Sequence, residues 1–172
     1  MSFKTLALSA AMTLAVSFPV LAGDAAKMMI DDPYARTSRP GAPTGAAFLT
    51  IMNHTGEDDR LIAVLSDAAE RVELHTHQEN AEGVMKMIHV KEWFDIPAEG
   101  MIALKRGGNH IMFMGVTEPF EDGETVSVTL VFEKAGEIDV EIPVDLERKP
   151  KSGSHSGHGS SHDAGHGGHS DH

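Results

Sequence analysis

The 172-residue sequence contains no cysteine, and that absence removes several functions at once. It leaves no disulfide framework, no thiolate metal site, no cysteine nucleophile, and none of the sulfur ligand on which blue-copper electron-transfer centres depend. Folding must rest on a hydrophobic core. Basic residues are also scarce: 14 Lys and Arg against 26 Asp and Glu give a formal charge of −12. Nucleic acid is bound by neutralising phosphates, and no basic patch is present to do it. Beyond the N-terminus no stretch is apolar for long enough to span a bilayer. A nucleophile elbow and paired catalytic carboxylates in a recognisable motif are missing too, so nothing here points to an enzyme.

The first residues read as an export signal. Residues 5–21 form an uncharged apolar run behind Lys4, and Val20-Leu21-Ala22 before Gly23 fits a small-residue cleavage site. The pattern predicts a signal peptide over 1–22, cleaved near Ala22, with no membrane insertion afterwards; an uncleaved anchor is the alternative. One ordinary domain then occupies residues 23–148. Its apolar runs are short and separated by turn residues: 28–30, 34–37, 46–53, 61–65, 71–77, 84–90, 101–104, 109–116, 125–133 and 137–144. Val126, Val128, Leu130 and Phe132 share one parity, as do Ile138, Val140, Ile142 and Val144. Many short alternating strands with regular turns predict an all-β antiparallel sandwich or barrel. Only residues 66–71 leave room for a helical turn.

Residues 149–172 differ in character. They consist largely of Gly, Ser, Asp and His, including His155, His158, His162, His166, His169 and His172. A segment so poor in apolar residues cannot offset its ordering entropy, which predicts disorder. Histidine-rich tracts of this kind read as metal-binding, and the Irving–Williams order favours Cu(II). A purely solubilising tail is the bland alternative.

Within the domain, histidine and methionine recur at alternate positions: His75 and His77; Met85, Met87 and His89; His110, Met112 and Met114. In an extended strand, residues i and i+2 point to one face. Ile111 and Phe113 would then face the core while His110, Met112 and Met114 face away. Thioether sulfur is soft and suits Cu(I), and imidazole suits several transition metals, so the mixture points to copper rather than zinc. Each residue also has a plainer reading. Methionine packs well in cores, and Met28, Met29, Met52 and Met101 read as core or strand residues. His77 and His89 read as surface histidines or auxiliary ligands, Met114 as a rim residue or an extension of the site, and His54 as solvated. Trp93 and Phe94 fall in a loop-like stretch, and Glu57-Asp58-Asp59 reads as a solvated turn.

Glu73-Leu74-His75, Gly83-Val84-Met85-Lys86-Met87 and Gly107-Gly108-Asn109-His110-Ile111-Met112 resemble the PCu(A)C family of periplasmic copper chaperones. The family's pattern is a His, an optional Met, ten residues, a Met, twenty-one residues, then His-x-Met. Here the second interval, from Ile88 to Asn109, is one residue longer. The segments around Pro40-Gly41-Ala42-Pro43 and Asn53-His54-Thr55-Gly56 resemble the family as well. The resemblance implies a cupredoxin-like antiparallel β-sandwich of Greek-key type in the periplasm. It implies a Cu(I) site of His75, Met87, His110 and Met112, with Met85 as a possible substitute for Met87. By the same resemblance, the partner would be the copper-site subunit of cytochrome c oxidase, or another copper chaperone. A copper-buffering or resistance protein without a dedicated acceptor is the competing reading, and copper shared between two molecules is a further arrangement.

Overall fold

Side-chain alternation decides which faces of this chain meet. The computed structural model describes residues 27–149, and ten strands follow one another there without an α-helix. They are β1 (Met28–Thr37), β2 (Thr44–Asn53), β3 (Asp59–Leu65), β4 (Ala69–Glu79), β5 (Met85–His89), β6 (Phe94–Ile96), β7 (Met101–Leu104), β8 (His110–Val116), β9 (Thr125–Phe132) and β10 (Glu137–Pro143). The expected signal peptide, and all the expected tail except Lys149, lie outside the described residues.

One sheet has six strands in the order β1-β2-β8-β4-β5, with β7 also paired to β2; the other runs β10-β9-β3-β6. All the strand pairings are antiparallel. This is the expected cupredoxin-like β-sandwich. Leu74, Ile111 and Phe113 of the larger sheet join Leu61, Val128, Leu130 and Ile142 of the smaller one in a single buried cluster. The inward parity expected for Ile111 and Phe113 holds, since both are fully buried. Truncating a buried phenylalanine costs about 3–5 kcal/mol, so this packing fixes β8 firmly at the centre of its sheet.

Several local expectations change. The sequence divides residues 28–37 at Asp31-Asp32-Pro33, yet β1 runs through, with a register shift between Asp31 and Tyr34. Asp32 sits at φ 51°, a left-handed conformation that Asp tolerates better than most residues. A bulge in an edge strand also accommodates the N–H that Pro33 lacks. Residues 94–96 form β6 rather than a loop, with Phe94 buried and Trp93 partly exposed beneath the Arg60 guanidinium. No helical turn occupies residues 66–71, because β4 begins at Ala69. Asp59 is buried, not solvated: its carboxylate accepts the backbone N–H groups of Arg60, Lys134 and Ala135. Three charge-assisted hydrogen bonds compensate its burial. Met29 and Met101 lie in strands but are exposed, whereas Met28 is in the core.

Candidate metal centre

The fold makes neighbours of the three strands that carry the alternating donors. β4 lies between β8 and β5. His75 is directly opposite His110 on one side and His89 on the other. Met112 is opposite Glu73, Met87 opposite His77, and Met85 opposite Glu79. Directly opposed residues share a face, so these donors all stand on the outer face of the larger sheet. The extra residue in the sequence spacing lies between Met87 and His110, and residues 90–93 of that interval are outside any strand. Neither pairing of β4 shows a register shift.

His110 is 2% exposed although it faces away from the core. Its ring is covered by Phe48, His75 and His77, whose centroids lie 6.1, 5.9 and 5.2 Å away. His110 Nδ1 donates to the Gly108 carbonyl at 2.9 Å. That carbonyl is presented by a turn in which Gly108 N–H bonds to Lys105 O and Gly107 takes φ 76°, a conformation glycine adopts without strain. His75 Nε2 donates to Glu73 Oε2 at 2.9 Å. A carboxylate and a carbonyl only accept, so both tautomers follow from their partners. The remaining nitrogens, His75 Nδ1 and His110 Nε2, are buried and have no hydrogen-bond partner. An unpaired buried acceptor costs about 1–3 kcal/mol, and two lone pairs kept in that state on adjacent strands suit a cation.

The electrostatics agree. Burial holds the His110 pKa below its ordinary value; the Gly108 bond opposes this, and His77 and His75 add to it. Above the ordinary value of 6.5 the ring is therefore neutral, as a ligand must be. The Glu73 carboxyl is held below its usual range chiefly by the hydrogen bond from His75, against desolvation, with smaller contributions from His89 and Arg71. Glu73 thus orients His75 as outer carboxylates orient metal-ligating histidines. His89 stacks on His75 at 5.6 Å, with its Nδ1 3.5 Å from Glu73. His77 lies 3.4 Å from the Gly108 carbonyl.

Met87 and Met112 line one hollow of about 460 Å³, together with Ala46, Phe48 and Arg106. Met85 does not line it, although Met85 and Met87 are similarly exposed, at 52% and 46%. Met114 is turned to Arg71, whose guanidinium lies 3.6 Å from its sulfur. Among the described residues, no three His, Asp or Glu side chains are grouped to hold a metal. A cation at the two free imidazole nitrogens would need further donors, and thioethers are the soft groups at hand. Six tail histidines, from His155 to His172, lie outside the described residues. The Glu73 partner and the Gly108 turn were not anticipated as parts of the site; a carboxylate sharing the parity of His75 was the available signal.

A family model described as "Putative lipoprotein LpqE-like" matches residues 28–144. The chain belongs to the LpqE-like family. It is 35% identical over 104 residues to "Putative lipoprotein Lxx21020" of Leifsonia xyli subsp. xyli, and the match covers 60% of this chain and 62% of that protein's length. Among solved structures, the copper-bound PCuAC domain from PmoF2 superposes with a TM-score of 0.57 at 24% identity, over 70% of this chain and 93% of that one. The Cu(I) form of DR1885 from Deinococcus radiodurans gives a TM-score of 0.54 at 27% identity, over 74% of this chain and 86% of that one. The LpqE-like chain therefore shares the fold of PCuAC domains, in line with the sequence resemblance.

Proposed function

We propose that this protein is an exported copper carrier that holds Cu(I) between His75, Met87, His110 and Met112 and delivers it to another copper protein. The observation that carries the reading is the pair of buried, unpartnered nitrogens, His75 Nδ1 and His110 Nε2, on the sheet face that also carries Met87 and Met112, which line one hollow. Copper is cargo here. Two neutral imidazoles and two thioethers hold Cu(I) without a charged ligand, and thioethers yield more readily than thiolates to an incoming donor. A thioether also survives where a thiol would be oxidised to a disulfide. Support comes from the fold shared with PCuAC domains, one described with copper and another with Cu(I).

In this reading residues 1–22 are the leader, 23–148 the carrier domain and 149–172 a tail whose histidines take Cu(II). The compartment is the periplasm. The lipoprotein description belongs to the relatives; this sequence has no cysteine thiol to acylate. The acceptor is the copper-site subunit of cytochrome c oxidase. Mixing Cu(I)-loaded protein with that apo subunit should transfer copper. A protein that retains its Cu(I), or loses it equally to any chelator of matched affinity, would instead be a buffer.

A further inference from the structure

Two arginines, Arg36 and Arg106, line the hollow of Met87 and Met112, and neither is neutralised. Several other cations of the chain meet carboxylates: Arg60 pairs with Asp95 and Glu133, Lys134 with Glu57, and Arg148 with Asp32. Among the described residues, Arg36 and Arg106 donate only to carbonyls. Both reach the Arg148 carbonyl, at 3.3 and 2.7 Å, and Arg36 also reaches that of Thr37 at 3.5 Å. A carbonyl accepts a hydrogen bond but carries no charge, so both positive charges remain. The Nε–H of Arg106 is buried and has no acceptor at all. An incoming acceptor relieves the cost of such an unpaired donor.

This charge is out of keeping with its surroundings. The chain carries 26 acidic against 14 basic residues. The concavity on the opposite sheet is lined by Asp67, Glu118, Glu124, Asp139 and Glu141, without a cation. Arg106 also lines a second hollow of about 280 Å³, together with Lys105 and Lys149, so the positive ground continues past the methionines. Positive charge beside a bound cation works against holding it, so the two guanidiniums do not serve retention. They suit recognition instead. A guanidinium takes a carboxylate through two parallel hydrogen bonds. Both side chains are half-buried, and salt screens such groups less than fully exposed ones.

We propose that Arg36 and Arg106 form the docking seat for the copper-receiving protein, and that they take carboxylates of an acidic segment on its surface. The inference rests on the copper-carrying reading above and adds what the acceptor must present. Carboxylates seated on the two guanidiniums hold the partner at the hollow where Met87 and Met112 stand. Opposite charge also steers the encounter, which makes the association rate sensitive to salt. A second copy offering its own acidic concavity would associate head to tail instead, and the test separates that case.

Two measurements on the full chain test this. In the first, copper-free protein at low ionic strength is titrated with a hexaglutamate peptide, standing in for an acidic segment, and followed by heteronuclear NMR. The Arg106 Nε–H and the Ala46 amide should shift and saturate, while the Thr129 amide on the opposite sheet stays in place. Acetate at equal carboxylate concentration should shift them far less, because linked carboxylates bind together. Equal shifts with acetate mark a free-anion site and overturn the docking seat. An unmoved Arg106 signal overturns it too, as does broadening that grows with protein concentration, the mark of self-association. The second measurement is Cu(I) transfer to the apo copper-site subunit of cytochrome c oxidase, taken relative to withdrawal by a small uncharged chelator. Arg36→Gln with Arg106→Gln should lower that ratio roughly tenfold at low salt. The difference should vanish near 1 M salt, where the screening length is about 3 Å. Lys105→Glu changes an exposed residue and serves if the double variant does not fold; it should lower the ratio roughly threefold. An unchanged ratio overturns the seat. If Met87→Ala with Met112→Ala leaves Cu(I) affinity intact, the copper-site reading fails instead, and the copper-free titration is unaffected.

Discussion

The two outer faces of this sandwich handle polar groups in opposite ways. On the smaller sheet, Ser127 donates to Glu141 at 2.7 Å and Thr129 to Asp139 at 2.6 Å, so hydroxyl and carboxylate satisfy each other across β9 and β10. That face also carries a concavity of about 790 Å³, larger than the one lined by Met87 and Met112. On the larger sheet, Glu73 and Gly108 engage one nitrogen each of His75 and His110 and leave the other nitrogen buried and unpaired. Size does not single out the face proposed as functional. Unspent lone pairs do, because a buried acceptor without a partner is a cost that a ligand can relieve.

The strongest way to break the comparison is to remove donors from the larger sheet. His110→Ala should weaken Cu(I) binding by more than about 100-fold, beyond the 10–100-fold loss typical when only an outer partner of a ligand is removed. Competition with a Cu(I) chelator measures it, and an affinity within tenfold of the parent would count against His110 as a ligand. Glu73→Gln keeps the size of the side chain but not its charge, and should cost roughly 10–100-fold through the orientation of His75. The same titration on a smaller scale checks this, and Met85→Ala, outside the hollow, should change little.

Acid sharpens the contrast further. Burial lowers the folded-state pKa of His110 below the ordinary value of 6.5. Its contribution to stability is complete above that ordinary value and is lost as pH falls through the folded value. Copper capture follows the same sense, since only the neutral ring offers a lone pair. An NMR titration of the His110 ring should give a midpoint below 6.5, and a midpoint at or above it would contradict the burial argument. The smallest effect belongs to the other face. Thr129→Ala should cost only about 0.2–1 kcal/mol in denaturant unfolding, as cross-strand pairs do, with Cu(I) affinity unchanged.

Much of this was legible in local pattern and little of it in local contact. The parity of His110, Ile111, Met112 and Phe113 announced a two-faced strand, because alternation is a property of the chain itself. Adjacency of β8, β4 and β5 was not legible, since it joins residues 35 apart, such as His75 and His110, through the register of whole strands. The same holds for Asp59, whose burial depends on Lys134 and Ala135, and for Arg148, whose carbonyl accepts from Arg36 of β1 and from Arg106 in the turn after β7. The Asp31-Asp32-Pro33 segment misled because turn residues also build bulges. Short β6 escaped because three residues carry too little alternation to read.

The central claim is that thioether and imidazole together hold the cargo on the larger sheet. X-ray absorption of the full chain with one equivalent of Cu(I) tests it most directly, alongside Met87→Ala with Met112→Ala. The account predicts two sulfur and two nitrogen neighbours in the parent and loss of the sulfur shell in the double variant. A parent spectrum with nitrogen neighbours alone, or sulfur that persists in the variant, would contradict it.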